Sequence, residues 1–361
     1  MNVVVYGANG WTGSLVAKTL ERRGGFRLVL AGRNEEKLQA LRATLPSRPE
    51  VRVADPRDRA ALERMLLGAD VIVHCAGPYR DLGEAMLDAS LALGCHYFDV
   101  SGEYEFVRSI YERYMGEAHR RGLTFCPGFA VKGVFGDWLA SIAAGPSREP
   151  IDEVAVAYAH ALREYLFASP GSILAAASQG LFNQHDRYDP ARSIARRFEF
   201  PPPFGVGTAL LVPMTDEVTI PRHLPTPIVR NYVAVAPGTP ANDVWATFFT
   251  SQLRAMPLLA TAIRANPTLF KTLGESRAIV PTGVTFAALA EVTRNRRVHR
   301  AAVTLADGYQ ATADIVAYAL RQLPSAPRGA ITPSELCDPR RALRELARAR
   351  LLSLLRWSEA R

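Results

Sequence analysis

The stretch VVVYGANGWTG, residues 3–13, joins an apolar, β-branched run to three glycines spaced GxxGxxG. A strand pattern precedes the glycines and a helical pattern over 12–23 follows them, which is the context in which such a triplet indicates a dinucleotide-binding turn. Gly7 permits the sharp turn, Gly10 lets the backbone approach a pyrophosphate, and Gly13 allows close packing of helix on strand. The helix N-terminus favours the phosphate charge. We therefore predict dinucleotide binding, with a purely structural glycine turn as the alternative.

Short apolar runs alternate with helical patterns as far as residue 128, and this alternation specifies a parallel sheet with helices on both faces. The strand patterns are NVVVYG, FRLVLAG, VRVAD, DVIVHCAG, CHYFDVSG and GLTFCPG. The helical patterns cover 12–23, 35–45, 57–67, 81–93 and 103–121.

Beyond residue 128 the pattern changes, because proline-rich stretches interrupt the apolar segments. EVAVAYAHA and FAALAEVTR favour strands of an open sheet in an α+β domain. DGYQ, residues 307–310, is a turn signal before a predicted helix over 311–322. The tail, 339–357, predicts an Arg-rich amphipathic helix that packs on the body of the protein.

Residues at two strand ends would select the cofactor. The second strand ends in LAGRN, which places Arg33 where a carboxylate normally binds the ribose 2′-hydroxyl of NAD. An arginine suits a 2′-phosphate instead, so we predict NADP, with Asn34 as a further donor. The alternative for Arg33 is a solvent-facing side chain at a strand end. Asp55 could accept from the adenine amino group, although Asp before Pro is also an ordinary turn former.

The fourth strand ends in HCAGPY, residues 74–79. In a doubly wound sheet the ligand crosses the carboxyl ends of the strands, so 75–78 should border the nicotinamide ribose. His74 lies inside the strand and is expected to be a buried histidine rather than a proton donor, and Cys75 to be a packing residue. The residues expected to contact the cofactor are Gly7, Asn9, Gly10, Trp11, Thr12, Gly13, Arg33, Asn34, Asp55, Cys75, Ala76, Gly77 and Pro78.

Length and composition bound the class of protein. The 361 residues suit two domains, and 48% hydrophobic with 22% charged residues is typical of a folded protein. The net charge is +8, yet only four of the 43 basic residues are lysines and the arginines are scattered, so we discount a nucleic-acid partner. The densest basic run, RNRRVHR at 294–300, is expected to be a solvated turn between strands.

Cysteine usage and hydropathy suggest a cytoplasmic protein. The four cysteines show no paired metal spacing, which predicts no metal site and reduced thiols in a cytosol. A strand pattern begins at the first residues, leaving no room for a signal peptide, and no apolar run reaches the roughly 18 residues of a membrane span. We expect no transmembrane segment.

Several of these motifs together resemble the saccharopine dehydrogenase-like NADP-binding family, whose relatives include saccharopine reductases and trans-acting enoyl reductases of polyketide and lipid pathways. The resemblance is close over 1–140, weak through 150–280, and returns at 284–335. It is carried by YGANGWTG, LAGRN, HCAGPYRDLGEAMLDASLALGCHYFDVSGE, VTLADGYQATADIVAYALRQL and ITPSEL.

The resemblance implies a Rossmann-type doubly wound α/β fold with an inserted α+β substrate domain. The expected division is an NADP-binding domain at 1–130, a substrate domain at 131–305 and a C-terminal segment, 306–361, that returns to the first domain. This chain departs from the family after the sixth strand, where relatives often read like GFDVVPTD and this chain reads PGFAVKGVFGD. Asp137 is kept, but Lys132 stands where an aspartate is common.

The family further implies an NADPH-dependent oxidoreductase that reduces an activated C=C (enoyl) or C=N bond of a small or acyl substrate. Such a protein must place nicotinamide C4 against the acceptor, supply a proton and, for an enoyl substrate, stabilise an enolate. Alternatives exist for every candidate: Tyr79 could pack a loop, Ser101 and Glu103 could cap the helix beginning there, and Lys132 could be solvated. The candidates near the strand ends are Tyr79, Ser101, Glu103 and Lys132.

Two other functions stay open. One is a redox-inactive NADP-binding scaffold or sensor. The other is a saccharopine-type amino acid dehydrogenase, which needs clustered arginines, such as Arg222 and Arg230, for a substrate carboxylate. The apolar stretch 248–270 could line a pocket or cover the interface of a homodimer.

Overall fold

A computed structural model describes residues 1–161, 195–252 and 283–348. The backbone packs as two compact units. The first joins Met1–Trp138 to the described residues from Gly308 onward, and the second consists of the described residues between Leu139 and Asp307. The predicted domain boundaries, after residues 130 and 305, lie shortly before the observed divisions after Trp138 and after Asp307.

The first unit is built on a seven-stranded sheet, all parallel, in the order β13-β6-β5-β4-β1-β2-β3. The order 3-2-1-4-5-6 within it is that of a doubly wound nucleotide-binding fold, which confirms the predicted fold class. The order in which the chain adds strands to the sheet reverses between β1 and β4. β1 lies at this switch point, and its Val4 pairs with Val29 on one side and Ile72 on the other. The strands are β1 (Asn2–Tyr6), β2 (Arg27–Gly32), β3 (Glu50–Val53), β4 (Val71–His74), β5 (His96–Asp99), β6 (Thr124–Cys126) and β13 (Gly329–Ala330).

Central strands of this sheet are continuous apolar runs because helices cover both faces. Val3, Val4 and Val5 are fully buried, as are the three valine and isoleucine residues that begin β4. The helices of the unit are α1 (Trp11–Arg23), α2 (Glu35–Thr44), α3 (Arg59–Leu66), α4 (Tyr79–Leu93), α5 (Tyr104–Arg113), α6 (Met115–Arg120), α7 (Val131–Ala144, which crosses into the second unit), α10 (Gly308–Leu320), α11 (Pro333–Leu336) and α12 (Pro339–Arg348).

Two predicted helices are corrected. The single helix expected over 103–121 is divided into α5 and α6 at Tyr114, whose φ of −107° (ψ −18°) departs from the usual helical value of about −63°. DGYQ is not a separate turn, since α10 already begins at Gly308. Asp307 is the residue immediately before that helix, a position that favours Asp as strongly as a turn does.

Helix α10 brings the C-terminal part of the chain back onto α1. Its Asp314 is buried, and one carboxylate oxygen lies 3.8 Å from the Arg22 guanidinium and 3.6 Å from that of Arg23. Gln310 donates to the Thr19 hydroxyl at 3.0 Å. Along α12, the residues Ala342, Leu343 and Leu346 are buried; the rest of the helix predicted over 339–357 lies outside the described residues.

The second unit contains a six-stranded mixed sheet in the order β12-β11-β7-β10-β9-β8. Among the described strands of this sheet, only β7 and β10 pair in parallel. The strands are β7 (Glu153–His160), β8 (Ala195–Phe200), β9 (Gly205–Leu211), β10 (Val229–Val235), β11 (Phe286–Arg294) and β12 (Arg297–Leu305), and the helices are α8 (Asp216–His223) and α9 (Pro240–Gln252).

The basic run 294–300 is only in part the predicted solvated turn: Arg294 ends β11, two residues form the turn, and 297–300 begin β12. Asn295 and Arg296 have φ of 48° and 65°, the left-handed conformation of a two-residue hairpin turn. Arg294 is buried and donates to the carbonyls of Ala144 and Glu149. Most of the apolar stretch 248–270 lies outside the described residues. None of the helices in the described ranges is long and apolar enough to cross a membrane.

Candidate cofactor site

The glycine turn between β1 and α1 has one open side and one closed side. Gly7 has φ +80°, and a Cβ there would lie 2.8 Å from the Ala76 Cβ. A Cβ on Gly13 would lie 2.2 Å from the Gly7 carbonyl oxygen, so that glycine packs directly on the backbone. A Cβ on Gly10 would have a single close neighbour, the Gly7 oxygen at 3.2 Å, and Gly10 is exposed. The turn therefore presents bare backbone at Gly10.

Helix α1 begins at this turn without a side-chain cap. Gly10 is its N-cap, no side chain bonds the first N–H groups, and the first turn carries no acidic residue. Unbonded N–H groups and the helix dipole together favour an anion. Beside them, Asn9 is exposed, Thr12 is half-buried and Trp11 is 52% exposed. The exposed, uncapped start of α1 fits the pyrophosphate of a dinucleotide.

Arg33 follows β2 on the same sheet edge and is exposed. Burial raises the pKa of Tyr6 to about 12, while the Arg33 charge lowers it and that of Asp55 raises it. Both charged groups therefore lie within electrostatic range of the Tyr6 hydroxyl, which itself donates to the Ala54 carbonyl at 3.1 Å. The Arg33 charge thus lies near the ends of β1 and β2, at the edge of the sheet where a 2′-phosphate could pair with an arginine.

Asn34 and Asp55 make ordinary local contacts. The Asn34 side chain caps α2 by accepting from the Lys37 N–H at 2.8 Å. The Asp55 carboxylate accepts from the Arg57 N–H at 2.8 Å and closes an Asp turn. The turn-forming alternative for Asp55 is therefore present in the structure, and a contact with adenine stays a prediction.

The loop after β4 faces the glycine turn across the switch point of the sheet. The Cys75 N–H donates to the Tyr6 carbonyl at 2.8 Å, Cys75 and Ala76 are half-buried, and Gly77 and Pro78 are exposed. Burial raises the pKa of the Cys75 thiol, so it is a neutral packing group, and all four cysteines are free thiols. This loop is where the nicotinamide half of a dinucleotide is expected.

His74 is fully buried at the end of β4. Its Nδ1 lies 3.2 Å from the Tyr97 hydroxyl oxygen. Burial lowers the pKa of His74 to about 3, so the imidazole is neutral near neutral pH. This agrees with a packing role and not with a proton donor.

Tyr79 lies beneath the loop with its hydroxyl turned into the protein. The hydroxyl donates to the His74 carbonyl at 3.1 Å, and the ring packs edge-on against the His74 imidazole at 4.9 Å. Burial raises the pKa of Tyr79 well above its ordinary value. These contacts are those of a loop-packing residue, the alternative stated above, and proton donation by Tyr79 stays a prediction.

The side chains of Glu103 and Ser101 accept hydrogen bonds from backbone N–H groups. Both Glu103 carboxylate oxygens accept from the first N–H groups of α4, those of Tyr79 at 2.8 Å and Arg80 at 2.9 Å. Glu103 thus caps α4 and not, as the capping alternative proposed, the helix that begins beside it. The buried Ser101 hydroxyl accepts from the Glu103 N–H at 2.9 Å. Catalysis by either residue stays a prediction that none of these contacts supports.

Lys132 lies at an interruption near the start of α7. It is half-buried and has extended dihedrals (φ −78°, ψ 129°), and the next residue, Gly133, has φ 100°. Asp137, one turn into the regular helix, is buried and accepts from the Ser334 N–H at 2.9 Å. Ser334 lies in the first turn of α11, so the kept family aspartate joins α7 to the ITPSEL segment.

Asp99 was missed as a site residue, although it ends β5 at the same sheet edge. It is fully buried, and its Oδ1 accepts from the N–H groups of Ser101 at 2.9 Å and Gly128 at 2.8 Å. Burial raises the pKa of Asp99 to about 7, against these hydrogen bonds and the nearby Tyr97 hydroxyl, which lower it. The sequence signal was an acidic residue at the end of an otherwise apolar strand.

Asp99 should make the stability of the protein fall as pH rises. Its pKa is raised from 3.8 in an ordinary setting to about 7 in the fold, so the native state holds the proton more tightly and loses that advantage as pH rises through 7. Asp99→Asn keeps an acceptor for both N–H groups but cannot titrate. We expect the free energy of unfolding of the wild type to fall relative to Asp99→Asn by up to about 1 kcal/mol per pH unit between the two values. Urea unfolding of both chains across that range measures this, and a constant difference would contradict it.

Comparison with known proteins matches the N-terminal part of the first unit to a cofactor-binding domain. Residues 3–126 match the saccharopine dehydrogenase NADP binding domain. The glycine turn, the end of β2 and the β4 loop all lie within the matched residues, and the match to an NADP binding domain confirms the predicted cofactor. The bare backbone at Gly10, the exposed Arg33 and the uncapped start of α1 fit this cofactor.

Similar curated proteins match over the same part of the chain. A lipid droplet localized protein of Caenorhabditis elegans is 34% identical over 132 residues, 34% of this chain and 31% of that protein. A saccharopine dehydrogenase-like oxidoreductase of Homo sapiens is 32% identical over 138 residues, 34% of this chain and 32% of that protein. A Mycobacterium tuberculosis protein described as a candidate trans-acting enoyl reductase is 34% identical over 125 residues, 34% and 30% of the two chains. The match spans about a third of the length of these relatives.

A solved structure extends the likeness of fold to the whole chain. The apo saccharopine dehydrogenase (L-Glu forming) of Saccharomyces cerevisiae superposes with a TM-score of 0.61 over 100% of both chains, at 14% identity. Identity this low supports the shared fold alone. The mixed second sheet, which the family match does not cover, therefore has a counterpart in a known structure.

Proposed function

We propose that this protein is an NADPH-dependent oxidoreductase that transfers hydride to an activated C=C or C=N bond of a small-molecule or acyl substrate. The observation that supports it most is the exposed Arg33 at the end of β2, in an NADP-binding domain whose glycine turn is open at Gly10. NADP is the phosphorylated dinucleotide that reductive enzymes use, and bound nicotinamide supplies the hydride. The oxidoreductase names of two relatives are consistent with the proposal.

The protein's own part in such a reaction is to hold the cofactor, place the acceptor, exclude water and supply a proton. The β4 loop would border the nicotinamide ribose. Lys132 is the proposed group for the acceptor oxygen or nitrogen, because an ammonium can donate a hydrogen bond and offset developing negative charge. Cytoplasmic location and assembly as a homodimer remain predictions.

The saccharopine-type alternative has less support from the arginines of the second unit. Arg230 donates to the Glu153 carboxylate at 3.1 Å, so one of the two guanidiniums named for a substrate carboxylate already has a carboxylate partner. An enoyl or imine acceptor without such a requirement is therefore preferred. A redox-inactive scaffold or sensor would bind NADPH, as both enzymes would, but would not oxidise it. Turnover of NADPH, and not its binding, therefore distinguishes the scaffold or sensor from the two enzymes.

A turnover panel tests the proposal. The purified chain is mixed with NADPH and, in separate reactions, α,β-unsaturated acyl thioesters, cyclic imines, or a 2-oxo acid with an amino acid, and loss of NADPH absorbance is followed. Turnover of one class assigns the reaction. Tight NADPH binding without turnover of any class would favour the scaffold or sensor, and turnover only of the oxo acid with amino acid would favour the saccharopine-type enzyme.

Lys132→Met should lower turnover without lowering cofactor affinity. The substitution keeps the length of the stem and removes the charge, so we expect the reduction rate to fall at least about tenfold, equivalent to roughly 1.4 kcal/mol, while the Kd for NADPH stays within about twofold. Lys18→Met, an exposed lysine on α1, is the control and should change neither quantity. Unchanged turnover by Lys132→Met would remove Lys132 from the mechanism.

A further inference from the structure

The N-termini of α1 and α4 flank the switch point of the sheet, and they differ in the hydrogen bonds that their first N–H groups make. α1 begins without a side-chain cap, whereas the first two N–H groups of α4 are both bonded to the Glu103 carboxylate. A carboxylate that accepts two helical N–H groups satisfies the positive end of the helix dipole as well as the hydrogen bonds. Of the two, α4 is therefore closed to a phosphate by the protein's own anion.

Glu103 also lies near the loop that precedes α4. A Cβ placed on Gly77 would be in ordinary van der Waals contact with the Tyr79 ring, at 3.4 Å, and with the Glu103 Oε1, at 3.7 Å, so the loop passes near both side chains. Pro78, the N-cap of α4, has no side chain that could bond the helix start. The hydrogen bonds to the N–H groups directly after the Gly77–Pro78 loop thus come from Glu103, which lies 24 positions after Tyr79 in the chain.

Glu103 is itself held by a buried series of hydrogen bonds. Its N–H donates to the Ser101 hydroxyl, and the Ser101 N–H donates to Asp99, whose Oδ1 also accepts from Gly128 after β6. Asp99 and Ser101 are fully buried. The ends of β4, β5 and β6 are therefore joined through one set of polar groups, with Glu103 as its last member before the loop.

We propose that Glu103 is a positioning residue: through the N–H groups of Tyr79 and Arg80 it fixes the Gly77–Pro78 loop for the nicotinamide half of NADP and keeps the start of α4 from competing for phosphate. This inference rests on the cofactor assignment within the proposed function and needs no hydride transfer. It gives Glu103 no contact with the reacting atoms. Removing the carboxylate should loosen only the nicotinamide half of the site.

The test compares whole and half cofactor. NADP⁺ carries the nicotinamide, and 2′,5′-ADP carries only the adenosine with its phosphates. For Glu103→Ala we expect the Kd for NADP⁺ to rise at least tenfold and that for 2′,5′-ADP to stay within twofold of wild type. Glu103→Gln, which keeps one acceptor but loses the charge, should fall between. Glu112→Ala, an exposed carboxylate near the other end of α5, should change neither value.

Each outcome of these titrations either supports or overturns the positioning role of Glu103. Equal weakening of both ligands by Glu103→Ala, or weakening of neither, would overturn the positioning role while leaving the cofactor assignment in place. A wild-type chain that binds neither ligand would overturn the cofactor assignment and the positioning role together. Retained binding of 2′,5′-ADP shows that the variant is folded around α1, so misfolding cannot imitate the expected result.

Discussion

A Gly10→Val chain should fold and yet bind NADP at least a hundredfold more weakly than the wild type. A Cβ at Gly10 meets only the Gly7 carbonyl oxygen, at 3.2 Å, and the residue has an extended backbone (φ −79°, ψ 170°) that valine readily adopts. The rest of the valine side chain would occupy the open side of the turn, where the pyrophosphate must approach the backbone. A hundredfold loss corresponds to roughly 2.7 kcal/mol of binding free energy.

Gly13→Ala, in the same turn, should instead lower the folding stability of the protein. Its Cβ would lie 2.2 Å from the Gly7 oxygen and 2.8 Å from the Gly7 carbonyl carbon, both backbone atoms that cannot move aside cheaply. We expect a loss of folding stability of roughly 3 kcal/mol, at the upper end of typical overpacking costs. Calorimetric titration with NADP⁺ and thermal unfolding of both variants separate the two effects. Undiminished binding by Gly10→Val would remove the turn from the cofactor site.

The first unit could be predicted from sequence because its determinants are local. Strand and helix alternate at short intervals up to β6, and parallel strands joined by helices leave few topologies. The roles of Gly7 and Gly13 follow from a turn that must bend and a helix that must approach a strand, both within eleven residues of VVVYGANGWTG. The position of Arg33 directly after β2 follows from the same local pattern, and its contact with the 2′-phosphate stays a prediction.

The β4–β6 ends and the second sheet could not be predicted in this detail because their contacts are non-local. Nothing near Glu103 in the sequence indicates that its carboxylate caps α4, and proximity to helix α5 suggested the wrong helix. Asp99 acquires its raised pKa from burial by other segments, a property of the folded protein. In the second unit, β7 lies between β10 and β11, strands far along the chain, and hydrophobic patterning alone does not choose such partners.

Wild-type protein should bind NADPH more tightly than NADH, and Arg33→Ala should remove most of that difference. Arg33 is exposed at the end of β2, and its guanidinium is the cation we expect to pair with the 2′-phosphate. A hydrogen bond to a charged group contributes roughly 1.5 to 3 kcal/mol, so the NADPH affinity should fall about tenfold to a hundredfold while the NADH affinity is nearly unchanged. Arg33→Lys should lie between, since an ammonium keeps the charge but not the bidentate geometry.

Arg27→Ala is the matched control for this experiment, because Arg27 is an exposed arginine at the opposite end of the same strand. It removes an equal charge far from the carboxyl edge of the sheet, so a general effect of net charge on an anionic ligand would appear in both variants. Calorimetric titrations of NADPH and NADH at two salt concentrations complete the design, since a phosphate contact weakens as salt screens it. Equal affinities of the wild type for the two cofactors would exclude Arg33 as the residue that selects the 2′-phosphate, and a loss shared by Arg27→Ala would assign the effect to net charge.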